Sequence, residues 1–352
     1  MVNDNSDMIN SGDYKVLIRC LAEAYGIEDR TDEHIRMAED IHRNFRESVG
    51  PDYENTDISS RHEALFKFSW EYGSRRNESR QNRVFDALKG LHSQCSDGDC
   101  YSFTGVYTIL SMIEGLNVGV MLTEDCSKDD INHVTSFFND GERTVQLENT
   151  SPNGFDVDPE NYKKYGYMFK KHEPSVLVST AYYNIGRGIV GRTIVPEETK
   201  KAMWYLERAI EFNPSFYSPY LDLGLVHAIL DNRELAFDSI EKARKINPNS
   251  SMVDGMRGNV NMFLKNFDEA KKDLYRAAVK NPMRHSILGR LADTELKCGN
   301  PKSAIVLAGL AISIESDNKD YLTTQLHAHF ELGNYTETNR LGALIKEKFS
   351  RN

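Results

Sequence analysis

The chain has 352 residues, of which 39% are apolar and 27% are charged, and its formal net charge is −10. This composition supports a packed core and argues against wholesale disorder, and the acidic balance argues against a nucleic-acid partner. The polar, acidic start lacks the regions of a secretory signal, and no apolar run approaches the ~20 residues that cross a bilayer. We therefore expect a soluble, cytoplasmic protein with no membrane partner.

The cysteines argue against a disulfide framework and give only a weak signal for a zinc site. The chain has five, an odd and scattered set: Cys20, Cys95, Cys100, Cys126 and Cys298. Such a set in an apparently cytosolic chain does not suggest a disulfide framework. The C-x4-C spacing of Cys95 and Cys100, with Cys126 and His133 downstream, is a weak zinc signal because no second tight pair accompanies it. We predict no metal and no cofactor.

The N-terminal third has helical patterns. Residues 12–50 contain the amphipathic stretch D-E-H-I-R-M-A-E-D-I-H-R-N-F, which Thr31 or Asp32 would cap, and residues 60–92 contain two more patterns. The loop H-S-Q-C-S-D-G-D comes next. We predict that these helices precede a further helix that begins at Cys100.

Cys100 opens an apolar helix, Y-S-F-T-G-V-Y-T-I-L-S-M-I-E, that ends at Gly115. A cysteine at a helix N-terminus lies near the positive end of the helix dipole and near unpaired backbone N–H groups. Both favour the thiolate, and the same N–H groups can stabilise an oxyanion. The alternatives are a buried core cysteine and a regulatory disulfide with Cys95.

A β-hairpin is predicted after the strand N-V-G-V-M-L. An alternating stretch that begins at His133, the turn signal N-D-G and a returning stretch that ends at Glu148 give this pattern. Residues equidistant from the centre of the turn would face each other, which pairs His133 with Glu148. A carboxylate there would orient the imidazole, and the imidazole would serve Cys100 as a base.

Three blocks of this region resemble the transglutaminase-like superfamily, a branch of the papain-like cysteine fold: G-D-C-Y-S-F-T-G-V-Y-T-I-L-S-M-I-E-G-L-N-V, H-V-T-S-F-F-N-D-G and V-Q-L-E-N-T. They resemble the cysteine helix with its following strand, the histidine strand, and the place where the family usually has an aspartate followed by Pro-Thr. The resemblance covers about residues 30–160 and implies an α+β papain-like domain over residues 1–172.

This resemblance implies roles for individual residues. Cys100 would be the nucleophile and His133 the general base. Glu148 stands where the family has aspartate and Asn149 where it has proline, and either would orient His133; we favour Glu148. Papain-like proteases have a glutamine shortly before the cysteine helix, so Gln94 would contribute to the oxyanion hole.

The C-terminal half repeats with a period of 34 residues. The dipeptides Asn213-Pro214, Asn247-Pro248 and Asn281-Pro282 mark the period, and small and apolar residues recur between them at the spacing of one helix face. The pattern resembles the tetratricopeptide repeat (TPR) family over residues 215–316. It implies an all-α domain over residues 173–352, with an atypical last unit at 317–352 as the cap.

Such arrays usually bind a peptide or a partner domain in a concave groove. His227, Asn261 and Glu295 occupy equivalent positions on the first helices and are candidates to line it. We predict cysteine-dependent acyl transfer or hydrolysis on a peptide or protein amide, with the array recruiting the protein. The alternative is a catalytically inactive adaptor that mediates protein–protein interaction through both halves.

Overall fold

A computed structural model describes residues 2–71, 74–76, 95–97, 100–123, 133–151, 153–163, 169–190 and 195–349. Gln94 and Cys126 lie outside these residues, and so does most of the second helical pattern predicted within 60–92. The contacts divide the chain into two compact units. One contains the described residues up to Ile185 together with Glu207–Pro214, and the other contains Gly186–Leu206 and the residues from Ser215 onward.

The first unit begins with helices. Those before the sheet are α1 (Val2–Asn10), α2 (Tyr14–Tyr25), α3 (Thr31–Ser48), α4 (Ile58–Glu71) and α5 (Cys100–Ile113), with short 3-10 turns at Glu28–Arg30 and Pro51–Asn55. Asp13 caps α2, because its carboxylate accepts from the backbone N–H groups of Lys15 and Val16. Gly26 ends α2 in the left-handed conformation, at φ +67°. The helices predicted within 12–50 are confirmed as α2 and α3. The predicted cap of the second is wrong, because α3 already includes Thr31 and Asp32 and Arg30 at its N-cap position makes no side-chain capping hydrogen bond.

A small antiparallel sheet lies behind α5. Its strands stand in the order β5-β4-β3-β6, and a separate parallel pair joins β1 to β2. The strands are β1 (Ser74–Arg76), β2 (Cys95–Asp97), β3 (Gly119–Thr123), β4 (Val134–Asn139), β5 (Thr144–Leu147) and β6 (Phe169–His172). Helix α5 packs against β4, and its residues from Tyr101 to Met112 are all buried. An apolar helix seated on this sheet explains why its sequence lacks a charged face.

The hairpin of β4 and β5 forms with a different turn from the one predicted. Asn139 pairs with Thr144, so four residues, 140–143, make the connection instead of two. The Asp140 carboxylate accepts from the backbone N–H groups of Glu142 and Arg143, which favours the longer loop. The register pairs Ser136 with Leu147 and does not place His133 directly opposite Glu148, so that part of the prediction is wrong.

The second half consists of antiparallel helical pairs. The elements that follow the hairpin are α6 (Pro159–Lys163), α7 (Val176–Val190), α8 (Pro196–Phe212), α9 (Tyr217–Ile229), α10 (Arg233–Ile246), α11 (Ser251–Phe263), α12 (Phe267–Lys280), α13 (His285–Lys297), α14 (Pro301–Ile314), α15 (Lys319–Glu331) and α16 (Tyr335–Phe349). The first helix of each pair, α9, α11, α13 or α15, begins 34 residues after the previous one. The second helices, α10, α12, α14 and α16, keep the same interval. The predicted period is confirmed.

Small residues set the distance between the helices of a pair. Ala236, Ala270 and Ala304 occupy equivalent buried positions on the second helices. Gly224 and Gly258 lie opposite them on the first helices, where a Cβ would come within 2.6 Å of Ile240 and Leu274 respectively. Because the side chain of the partner helix occupies this space, only glycine fits without displacement.

The described residues are mostly helical, and those of the C-terminal half form TPR-like helical repeats. The assignment of the N-terminal part to a papain-like fold stays a prediction, as does the boundary between residues 172 and 173. No described helix is long and apolar enough to cross a membrane.

Candidate functional site

Cys100 lies at the N-terminus of α5, as the sequence predicts. It is not part of a disulfide and is partly buried, and the helix that follows it is buried from Tyr101 to Met112. The residues that follow anchor this helix: the Tyr101 hydroxyl donates to the Leu177 carbonyl, and the Thr104 hydroxyl donates to the Val134 carbonyl, 3.2 Å away. Cys100 therefore lies at the start of a helix that hydrogen bonds hold to two neighbouring elements.

His133 lies immediately before β4, beside the end of β3. Its backbone N–H donates to the Thr123 hydroxyl at 2.8 Å, and its carbonyl accepts from the Thr123 N–H at 3.0 Å. Nε2 of the ring lies 2.5 Å from Oε2 of Glu148, and about a fifth of the His133 side chain is exposed. The backbone and the ring are thus held from two sides.

The structure brings Cys100 and His133 together through a side-chain hydrogen bond. Burial alone would lower the pKa of His133, but the hydrogen bonds to Cys100 and Glu148 outweigh it and raise that pKa to about 10. The ring is therefore stabilised as an imidazolium.

Glu148 is held by donors besides His133. The Thr150 backbone N–H donates to its Oε1 at 3.0 Å, the Thr150 hydroxyl to the same oxygen at 2.5 Å, and the Tyr162 hydroxyl to Oε2 at 2.5 Å. Burial alone would raise the pKa of Glu148, but these donors and His133 lower it to about 2. The carboxylate is thus held in its ionised form.

Tyr162 and Thr150 are the residues that sequence reasoning missed. Thr150 follows Glu148 closely enough for a local side-chain-to-backbone turn to suggest it. Tyr162 lies 14 residues after Glu148, in α6, and no spacing rule connects it with the hairpin. Its ring also packs edge-on against Phe169 at a centroid distance of 5.0 Å.

Asn149 and Gln94 are the other two residues that the sequence predicts for this site. The Asn149 amide is buried and donates to the hydroxyls of Ser136 and Thr104, at 2.7 and 3.2 Å, which ties the hairpin to α5. It is Glu148 that contacts Nε2 of His133. Gln94 lies outside the described residues. In the part of the chain that the structure describes, no three His, Cys, Asp or Glu side chains converge as a metal site.

Two of the residues predicted to line a groove in the repeat array, Asn261 and Glu295, are buried and form hydrogen bonds between first and second helices, and Asn261 also lines a cavity over α10, α11 and α12. The Asn261 amide donates to Asp273 at 2.9 Å. Glu295 accepts from the Tyr275 hydroxyl at 2.6 Å and from the Asn300 amide at 2.7 Å. These side chains hold first helices to second helices. His227, the third candidate, is half-buried, and burial lowers its pKa.

A groove does cross the first helices, but other residues line it. It is a cavity of about 250 Å³ over α9, α11 and α13, with a contribution from the end of α7 within the same unit. Its walls are Arg187, Leu225, Met252, Gly255, Met256, Asn259, Leu274, Ser286, Ile287 and Arg290. Several of these are related by the repeat period: Asn259 is equivalent to Leu225, Ser286 to Met252, and Arg290 to Met256.

Comparisons with known proteins add the following similarities. No family model matches the chain. A segment of 69 residues, 20% of the chain, is 36% identical to a UDP-N-acetylglucosamine–peptide N-acetylglucosaminyltransferase of Giardia intestinalis. The match covers 4% of that protein, so the chain spans a small fraction of the length of this relative.

Comparison with solved structures finds the following similarities. PilF of Pseudomonas aeruginosa is 19% identical with a TM-score of 0.42, over 49% of this chain and 78% of that one. Yeast Tom70 is 15% identical with a TM-score of 0.43, over 49% and 37%. YrrB, a TPR protein with an unusual peptide-binding site, is 16% identical with a TM-score of 0.36, over 49% and 88%. The repeat assignment itself rests on the 34-residue period and the helix pairing of this chain.

Proposed function

We propose that this chain is a protein-interaction protein whose repeat array binds a segment of a partner protein in the groove defined above. The observation that carries the proposal is that one groove collects side chains from several successive first helices. A surface built this way contacts an extended segment at repeated intervals.

The chemistry of the groove wall supports binding of side chains. Leu225, Met252 and Met256 are only partly buried, although they lie in a concave surface. A ligand that covers them removes apolar surface from water, and this burial favours binding by roughly 25 cal/mol per Å². Methionine side chains adapt their shape to the ligand, which suits a protein-binding wall.

Site-specific photo-crosslinking tests this proposal. Benzoylphenylalanine is placed at Asn259, in the groove, or at Lys272, which is exposed on the second helix of the same pair. We expect a protein adduct from position 259 and not from position 272. The purified partner should then bind the wild-type chain and lose affinity for Met256→Glu. Equal crosslinking at both positions, or unchanged binding by Met256→Glu, would refute groove binding.

A second candidate function is favoured by the convergence of Cys100, His133 and Glu148. A thiol beside an imidazole that a carboxylate orients is the arrangement of nucleophilic cysteine catalysis. We propose that the Cys100 thiolate attacks an amide carbonyl of a peptide or a glutamine side chain. The carbon–sulfur bond forms, and the tetrahedral oxyanion is stabilised at the N-terminus of α5.

The remaining steps use the same three residues. The His133 imidazolium gives its proton to the leaving nitrogen as the carbon–nitrogen bond breaks, which leaves a thioester on Cys100. Water or an amine then attacks the thioester and gives a proton to the imidazole. The carbon–sulfur bond breaks, which releases the acyl product and restores the Cys100 thiolate. Water makes the reaction a hydrolysis and an amine makes it a transamidation. Glu148 stays ionised throughout and keeps the ring in place.

Alkylation rates test this second candidate without a substrate. Iodoacetamide labelling is followed by peptide mass spectrometry, with Cys298, whose pKa is raised by burial, as the internal reference. We expect Cys100 to react at least about tenfold faster than Cys298 at pH 7, and His133→Ala to remove most of that difference. A Cys100 that reacts no faster than Cys298 would contradict an activated thiolate.

A further inference from the structure

We propose that the partner segment held in the groove carries acidic side chains next to an apolar side chain. This inference rests on the proposed groove binding and names the chemical class of the partner. It commits to an internal segment of a protein, recognised through side-chain carboxylates.

The floor of the groove is apolar. Ile287 and Leu274 lie buried at its base, and Met252 and Met256 form part of its wall. Gly255 opens space between them, since a Cβ added there would meet Ile287 and Ala277 only at ordinary contact distances of 3.6 to 3.8 Å. A leucine-sized side chain suits such a floor, because it would cover the methionines and fill the volume above Gly255.

The rim of the groove is cationic. Arg290 is exposed, and in the described part of the chain no carboxylate forms an ion pair with it. Asp293, one turn further along the same helix, is already paired with Lys297 at 2.7 Å. None of the ten residues of the wall is an aspartate or a glutamate. In a chain with a net charge of −10, this is a local reversal of sign.

A larger cavity in the same unit has a different balance of charged residues from the groove. It has a volume of about 680 Å³ and lies over α10, α11 and α12. Its charges are balanced, with three cationic and four acidic residues among the lining: Arg233, Glu241, Arg257, Lys265, Asp268, Glu269 and Asp273. Arg257 is bound there by Asp273 at 2.6 Å. The groove over the first helices is therefore the better match for an acidic ligand.

Asn259 adds a polar position to the apolar floor. Its Oδ1 atom is buried and accepts no hydrogen bond from the described residues. The wall of the groove is therefore not purely apolar.

Synthetic peptides test the inference. The probes are three short fluorescein-labelled peptides with blocked ends, in which a leucine is flanked by glutamates, by glutamines or by lysines. Fluorescence anisotropy with the full chain should show that the glutamate peptide binds about tenfold more tightly than the glutamine peptide, with an affinity that falls as salt increases. The lysine peptide should bind least. Arg290→Glu should weaken binding of the glutamate peptide at least tenfold, whereas Lys302→Glu, an exposed residue on α14, should change it less than twofold.

The outcomes separate this inference from the proposed function. Equal binding of the glutamate and glutamine peptides, or no effect of Arg290→Glu, overturns the acidic class and leaves groove binding intact. Failure of an excess of the glutamate peptide, added before irradiation, to reduce crosslinking of the partner from position 259 has the same meaning. If Met256→Glu also leaves that partner bound, the proposed function fails as well.

Discussion

The imidazole of His133 reaches the carboxylate of Glu148 diagonally across the hairpin, at 2.5 Å from Nε2 to Oε2. The register of β4 and β5, continued by one pair, sets Glu148 opposite Thr135, two residues from His133. An offset of two residues keeps both side chains on the same face of the sheet. Diagonal neighbours on one face lie within reach of long side chains, and glutamate has the necessary length.

This contact predicts how stability depends on pH in Glu148→Gln. The raised pKa of His133, about 10 against 6.5, contributes stability that is complete below pH 6.5 and is lost towards pH 10. The lowered pKa of Glu148, about 2 against 4.5, contributes stability that is complete above pH 4.5 and is lost towards pH 2. The variant should therefore be least stable relative to wild type between pH 4.5 and 6.5, by about 1.5–3 kcal/mol in urea unfolding.

Glu142→Gln provides the matched control, because Glu142 is exposed in the loop of the same hairpin. It should change the free energy of unfolding by less than about 0.5 kcal/mol. A Glu148→Gln deficit that stays constant from pH 3 to pH 10 would show that the ion pair does not form.

Tyr162→Phe removes one donor to the Glu148 carboxylate. The pKa of Glu148 should rise, since the Tyr162 hydroxyl helps to lower it. The stability lost should be about 1 kcal/mol above pH 4.5 and should shrink as the pH falls towards 2, where wild type also becomes protonated. Thermal unfolding across this range measures it. Tyr335→Phe, on a tyrosine that is 62% exposed, should show no such trend.

Gly289→Ala tests the packing of the repeat array. A Cβ there would lie 2.1 Å from the Tyr321 ring, which is itself held by a hydrogen bond to His285. We expect a loss of about 1–3 kcal/mol in the free energy of unfolding. Gly342→Ala is the control, since its Cβ would meet Leu326 at 3.7 Å, and it should stabilise α16 by up to ~1 kcal/mol. Equal effects of the two substitutions would contradict the packing described here.

Glu295→Ala separates stability from partner binding. It leaves the Tyr275 hydroxyl and the Asn300 amide without their acceptor, so unfolding should become easier by about 1–3 kcal/mol. Binding at the groove should not change, because Glu295 does not line it. Urea unfolding and anisotropy measure the two effects, and Glu331→Ala, at an exposed position, is the neutral control.

The repeat array was predictable because its period is local and regular. The Asn-Pro dipeptides mark the 34-residue interval between helix starts, and the small residues allow the two helices of a pair to approach closely. Both signals are local to one helical pair. The lining of the groove could not be predicted in the same way. Asn261 and Glu295 are 34 residues apart, as are Met256 and Arg290, but Asn261 and Glu295 face the second helices. One period is common to every face of a helix, so spacing alone does not choose among faces.

The cysteine site was predictable in part. Cys100 at a helix start and His133 at a strand start follow from the sequence pattern. The contact of His133 with Glu148 depends on a shared face of the sheet rather than on direct opposition. The turn was misjudged because the side chain of Asp140 accepts backbone hydrogen bonds that lengthen the loop. The role of Tyr162 could not be predicted from the sequence, because a short separate helix brings this residue to the Glu148 carboxylate.

Hydrogen exchange with and without the partner captured from position 259 tests the binding claim most directly. Groove binding predicts slower amide exchange along the first helices α11 and α13, with α14 unchanged, and no protection in Met256→Glu at the same partner concentration. Protection that falls on the second helices instead, or that persists in Met256→Glu, would contradict the account.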